Sequence, residues 1–86
     1  MARADIHFAP DKSILKAAAK VVRDERKKQG LTQESLAIKS GLHWRHIQRF
    51  ETDKLNPSLC SFISLAKGLG INADDLIKRI LNESNK

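Results

Sequence analysis

Cysteine is nearly absent from this chain. With Cys60 alone no intramolecular disulfide can close, which excludes a stapled secreted framework. Cys60 stands among Leu59, Phe62 and Ile63, where a small buried hydrophobe is expected, a usage that fits a reducing cytosol. No apolar run approaches the ~18 residues of a membrane span, and the N-terminus lacks the apolar core of a signal peptide, so a cytoplasmic location is expected. Internal repeats and low-complexity tracts are missing too. Glycine and proline are absent from the whole of residues 11–29, which leaves that run free to be one continuous helix.

What is present is the composition of one small soluble domain, 86 residues with 41% hydrophobic and 30% charged side chains. Such a chain can build a single core and is marginal by surface-to-volume scaling, so oligomerisation is a common way to add buried area. The net charge of +6 and a sequence pI near 9.8 favour a polyanionic partner. The charge is uneven: residues 1–30 carry eight Lys/Arg against four Asp/Glu, and each later third an excess of one. Ordinary solvated lysines on the first helix account for much of the total.

The chain is organised around residues 33–52, QESLAIKSGLHWRHIQRFET. Thr32 is a good N-cap and Glu34 an acid in the positive first turn, so a helix starts at Gln33. Gly41 supplies the positive φ at which a helix stops abruptly, and small Ala37 permits a close crossing. A second periodic run from near His43 places Ile47 and Phe50 on one face and Trp44, Arg45, Gln48 and Arg49 on the other. Two short helices joined by a tight turn predict a helix-turn-helix, whose outward face holds two arginines, an amide and no acid, groups suited to base edges in a major groove. The plainer alternative is an αα-hairpin with a solvated polar face.

Around this unit, residues 1–10 form an arm, extended or frayed, in which Ile6 and Phe8 are able to dock. The first helix spans about 11–29, with Leu15, Ala18, Ala19 and Val22 as its stripe and Arg26 facing inward, where a guanidinium needs a partner. Pro57 suits the first turn of a fourth helix, which through Leu59, Phe62, Ile63, Leu65, Ala66 and Leu69 is expected to be the most buried element. Asn72 and Asp75 form a capping-box variant for a fifth helix over 73–82, presenting Leu76, Ile77, Ile80 and Leu81. The tail, 83–86, is expected to fray. The domain is thus an all-α five-helix bundle over residues 11–82.

Taken together, LTQESLA, the glycine turn, IQRFE, NPSL and LAKGLGINADDLI resemble the Cro and phage-repressor type of helix-turn-helix, the Xre family, over roughly Val21 to Ile77. The resemblance implies a compact five-helix, lambda-repressor-like domain that binds double-stranded DNA, working as a homodimer on a palindromic operator. It implies that Arg26 pairs with Glu51 at the end of the reading helix. Carried over position by position, Gln33, His43, Lys54 and Asn56 are phosphate contacts, and Trp44, Arg45, Gln48 and Arg49 meet bases. His43 stands where a Ser or Thr usually caps the reading helix, and Asp53 replaces a common glycine in the following loop, tolerable because Asp visits the left-handed region more readily than most residues.

The expected function is a sequence-specific transcriptional regulator, with Ile77, Ile80 and Leu81 as possible dimer contacts. No cofactor, small-molecule effector or membrane partner is expected. A rival reading is a protein-interaction module, such as an antitoxin that sequesters a partner protein. Membrane-surface binding by the first helix conflicts with the use of its apolar stripe in the core. An enzyme is not expected: His43 and His46 lack a third metal ligand at suitable spacing, and Cys60 has no base beside it.

Overall fold

Helix starts here are set by side chains that accept a backbone N–H left free in the first turn. The computed structural model describes residues 11–86, so the expected arm over 1–10 lies outside the described residues. Asp11 caps α1 (Lys12–Lys28) by accepting from Ser13 N at 2.9 Å, and Thr32 caps α2 (Gln33–Ser40) by accepting from Ser35 N at 3.0 Å. His43 caps α3 (Trp44–Glu51) by accepting from Arg45 N at 3.1 Å, and Ser58 caps α4 (Leu59–Leu69) by accepting from Ser61 N at 3.1 Å. Pro57 therefore precedes the cap of α4 instead of standing inside its first turn. At α5 (Ala73–Ser84) the expected capping box does not form: Asn72 makes no side-chain cap bond, and Asp74 and Asp75 complement the positive helix end by charge alone. This helix continues two residues beyond the expected end, with the Glu83 carboxylate accepting from Lys86 at 3.3 Å.

Each helix sends one large side chain into full burial: Val22 from α1, Leu36 from α2, Ile47 from α3, Leu65 from α4 and Leu76 from α5. Each such burial contributes about 1.5–3 kcal/mol, so the five meet in a core that none could form alone. Outside it, Arg79 on α5 donates to Glu25 on α1 at 2.7 Å. The Glu25 carboxyl is held below its ordinary value, first by a hydrogen bond from Gln29, against the opposing effect of burial, and further by Arg79.

The fourth helix departs from expectation. Only its C-terminal half is buried, at Leu65, Ala66, Gly68 and Leu69; Leu59 is 73% exposed, and Cys60 and Ile63 face outward as well. The C-terminal half carries the crossing with α2, while from the N-terminal half Phe62 packs partly against the core. At that crossing Gly68 lies so close to Ser40 that a Cβ on it would overlap Ser40 Oγ and come within 3.1 Å of the Ser40 backbone nitrogen.

The element that fixes α3 is polar. The Glu51 carboxylate, 2% exposed, accepts from Arg26 Nε at 2.6 Å, Arg26 Nη2 at 2.9 Å and Gln33 Nε2 at 3.1 Å. Its backbone carbonyl accepts from Arg23 Nη1 at 3.2 Å, while Arg26 Nη1 donates to the Leu31 carbonyl at 2.8 Å. One carboxylate thereby ties α1, α2 and α3 together.

Two stability outcomes follow from these contacts. Gly68→Ala is expected to cost about 1–3 kcal/mol by overpacking. Ser40→Ala, which removes a buried hydroxyl lacking a hydrogen-bond partner, should cost little and partly rescue Gly68→Ala. Glu51→Ala should cost about 3–5 kcal/mol by stranding a buried guanidinium, and Arg26→Met with Glu51→Leu should recover much of that. Urea denaturation of the five variants checks both, and a cheap Gly68→Ala or an equally damaging double variant at 26 and 51 would contradict them.

Candidate nucleic-acid interface

The turn between α2 and α3 is made by backbone geometry. Gly41 adopts φ +70°, the left-handed conformation that favours glycine, and Leu42 N donates to the Ala37 carbonyl at 3.0 Å, closing the helix end by a six-to-one bond. Leu36 and Ala37 are buried beneath the turn, and Leu42 packs against the same core. Helix α3 leaves this turn with Ile47, Phe50 and Glu51 turned inward.

Trp44, Arg45, Gln48 and Arg49 are all exposed. Arg45, Gln48 and Arg49 are spaced three and four apart, so they share one side of the helix, and Trp44 lies one turn before Gln48. Within α3 no acid joins them, because Glu51, the acid of this helix, is withdrawn into the pair with Arg26, while exposed Glu34 of α2 stands near Trp44. At the start of the helix the aromatic groups contact one another: the His43 and Trp44 rings stack at 6.2 Å with 24° between planes, and Arg45 Cζ lies 5.9 Å from the centroid of Trp44.

His43 replaces the usual hydroxyl cap by a ring nitrogen. Because Nδ1 accepts from Arg45 N, the neutral ring carries its proton on Nε2, leaving a donor on an exposed side chain. Gln33 gives one amide hydrogen to Glu51 and keeps a second, together with the backbone N–H groups at the start of α2. Lys54 is exposed in the loop after α3, which Asp53 enters at φ +53°. Asn56 is exposed in the same loop, two residues beyond Lys54, and borders an apolar groove. Among the described residues no three His, Cys, Asp or Glu side chains gather as a metal site.

That groove, about 280 Å³ and open to solvent, runs between the first turn of α4, the N-terminal part of α1 and α5. Its rim exposes Ile14, Leu59, Ile77 and Leu81, with Phe50 of α3 also in its lining. Ile80, expected beside Ile77 and Leu81 as a dimer contact, is instead 5% exposed and belongs to the monomer core, because α5 turns that residue onto α1. Sequence reasoning missed Ile14, Leu59, Arg23 and the Gln33 bond to Glu51. Of these, Arg23 carried a signal, three residues before the inward Arg26 on the same helix.

The helix-turn-helix family model matches residues 22–76. Control protein C.SmaI of Serratia marcescens is 40% identical over 79 residues, covering 92% of this chain and 90% of that protein. Among solved structures, the restriction-modification controller protein C.Esp1396I superposes with a TM-score of 0.78 at 29% identity, over 85% of this chain and 94% of that one. C.AhdI from Aeromonas hydrophila, likewise a restriction-modification controller protein, gives 0.69 at 34% identity over 72% and 94%. C.Esp1396I has also been solved as a tetramer in complex with its natural 35 base-pair operator, and that form superposes at 0.79. The chain belongs to the helix-turn-helix family of transcriptional regulators, of the Xre type, and is homologous to restriction-modification controller proteins.

Proposed function

We propose that this chain regulates transcription by binding an inverted-repeat operator as a homodimer, each copy placing α3 in the major groove. The observation that carries this reading is the outward face of α3, two arginines and an amide without an acid, on a helix clamped from beneath by Ile47, Phe50 and the Glu51 pair. Arg45 and Arg49 select sequence through guanine O6 and N7, and Gln48 is suited to adenine. His43 Nε2, the second amide hydrogen of Gln33, and Lys54 hold phosphates and set register. The regulator acts in the cytoplasm on double-stranded DNA, without catalysis, cofactor or small-molecule effector. Its similarity to C.SmaI and C.Esp1396I supports a role as controller of a restriction-modification system.

The second copy docks on the apolar groove, with Ile77 and Leu81 joined by Leu59 and Ile14. Large apolar side chains gathered along one groove mark an interface more often than chance exposure does.

Selection from a random duplex pool should enrich an inverted repeat whose half-sites lie about 34 Å apart, one turn of DNA. On that site Arg45→Ala or Arg49→Ala should cost about 1–3 kcal/mol and little on random DNA, with log affinity falling by roughly 0.9 per log unit of salt for each phosphate neutralised. No enriched repeat, or a salt-insensitive association, would refute the operator-reading role. Leu81→Glu should sediment as a monomer with an unchanged circular dichroism spectrum, and a persisting dimer would place the seam elsewhere.

A further inference from the structure

We infer that Trp44 acts in operator recognition as the platform that holds Arg45, and not as a base reader in its own right. This deepens the DNA-binding reading above and rests on it. Trp44 is then a positioning residue, and the reading atom group is the Arg45 guanidinium.

Consecutive residues of an α-helix project about 100° apart and ordinarily do not meet. Here Arg45 Cζ nevertheless lies 5.9 Å from the centre of the Trp44 ring, within the range at which a cation is drawn to an indole face. The guanidinium has folded back onto its neighbour. Trp44 is itself restrained: its ring stacks with His43, whose Nδ1 accepts from the Arg45 backbone N–H, and it borders the start of α2 beside Gln33 and Glu34. At 40% exposure the indole is covered over most of its surface, unlike a side chain extended to probe a groove. Indole also offers one N–H donor and no acceptor, so it cannot make the paired hydrogen bonds that tell base pairs apart.

A free arginine loses much rotamer freedom on binding. One already drawn to a neighbouring ring has surrendered part of that freedom beforehand. A guanidinium held near the indole keeps its N–H fork unspent, and that fork is the group that guanine O6 and N7 accept in pairs. Trp44 and Arg45 should therefore act as one unit reading one base pair in each half-site.

The test uses the full chain and the duplex enriched by selection, together with duplexes changed at each half-site position. Affinities are measured for the wild type, Trp44→Phe, Trp44→Ala, Arg45→Ala and the double alanine variant, with circular dichroism confirming the fold. Arg45→Ala should weaken the preferred duplex about tenfold or more and erase discrimination at one base pair. Trp44→Ala should erase most of the discrimination at that same base pair, and adding Arg45→Ala to it should weaken binding by only about threefold more. Trp44→Phe, which keeps an aromatic face, should retain the preference. In the free protein Arg45→Ala should alter the emission of Trp44, the only tryptophan of the chain.

Independent losses that multiply, a preference altered at a different base pair, or equal weakening on every duplex would each overturn the assignment. Should Trp44→Ala fail to fold, Trp44→Phe against Trp44→Leu provides the same comparison, and unchanged tryptophan emission in Arg45→Ala overturns the contact itself. A wild type with no preferred duplex overturns the operator reading and this inference with it, whereas a preferred duplex with uncoupled variants overturns the inference alone.

Discussion

One buried carboxylate holds the reading helix in place. Helix α3 is eight residues long, roughly 12 Å, and far below the length at which a helix persists in water by itself. Apolar packing from Ile47 and Phe50 fixes one side of it, yet packing alone permits small rotations. Glu51 removes that freedom at the far end, because a planar guanidinium fork and an amide meet its two oxygens while Arg23 meets its carbonyl. A buried pair is no guarantee of net stability, since desolvation opposes the Coulomb gain. What it supplies here is a single orientation, which a helix that presents arginines to a groove needs more than it needs extra stability.

Local chemistry made much of this readable from sequence. Thr32, Gly41, Ile47 and Phe50 announce the helix-turn-helix because capping, positive φ and helical period depend on near neighbours. Arg26 stood out as a charge inside an apolar stripe, though only the family resemblance named Glu51 as its partner. The misses in packing share a cause, since each turned on contacts between segments remote in sequence. Leu59, Ile63 and Cys60 read as core because an apolar face looks the same whether the protein's own helices or another molecule covers it. Ile77, Ile80 and Leu81 form one broad stripe, and the packing of α5 on α1 decided which of them went inside. Likewise Gln33 carried no sign that half of its amide would be spent on Glu51, eighteen residues away.

Charge and hydrogen bonding are arranged so that the outward face of α3 holds donors, although Glu34 and Asp53 stay exposed at its margins. Glu51 is withdrawn, and Gln33 is oriented by it with one amide hydrogen to spare. His43 serves twice: accepting from a backbone N–H at Nδ1 completes the cap, and the same bond fixes the proton on Nε2 where a phosphate oxygen can receive it. A Ser or Thr at this position would cap equally well and reach less far. The net charge of +6 supplies long-range attraction, but the short-range pattern comes from these few oriented groups.

The incompletely covered half of α4 links stability to function. A domain of this size has little apolar area to spare, and Leu59, Ile77 and Leu81 are the exposed area that the proposed second copy covers. Phe50 carries the connection further. It is 2% exposed, belongs to α3, and also lines the groove that those residues rim, so the groove lies directly behind α3. Pressure on one side of this ring bears on the other, because close-packed interiors transmit displacement instead of absorbing it. In the proposed dimer, the distance between the two α3 helices is therefore set through a layer one side chain thick.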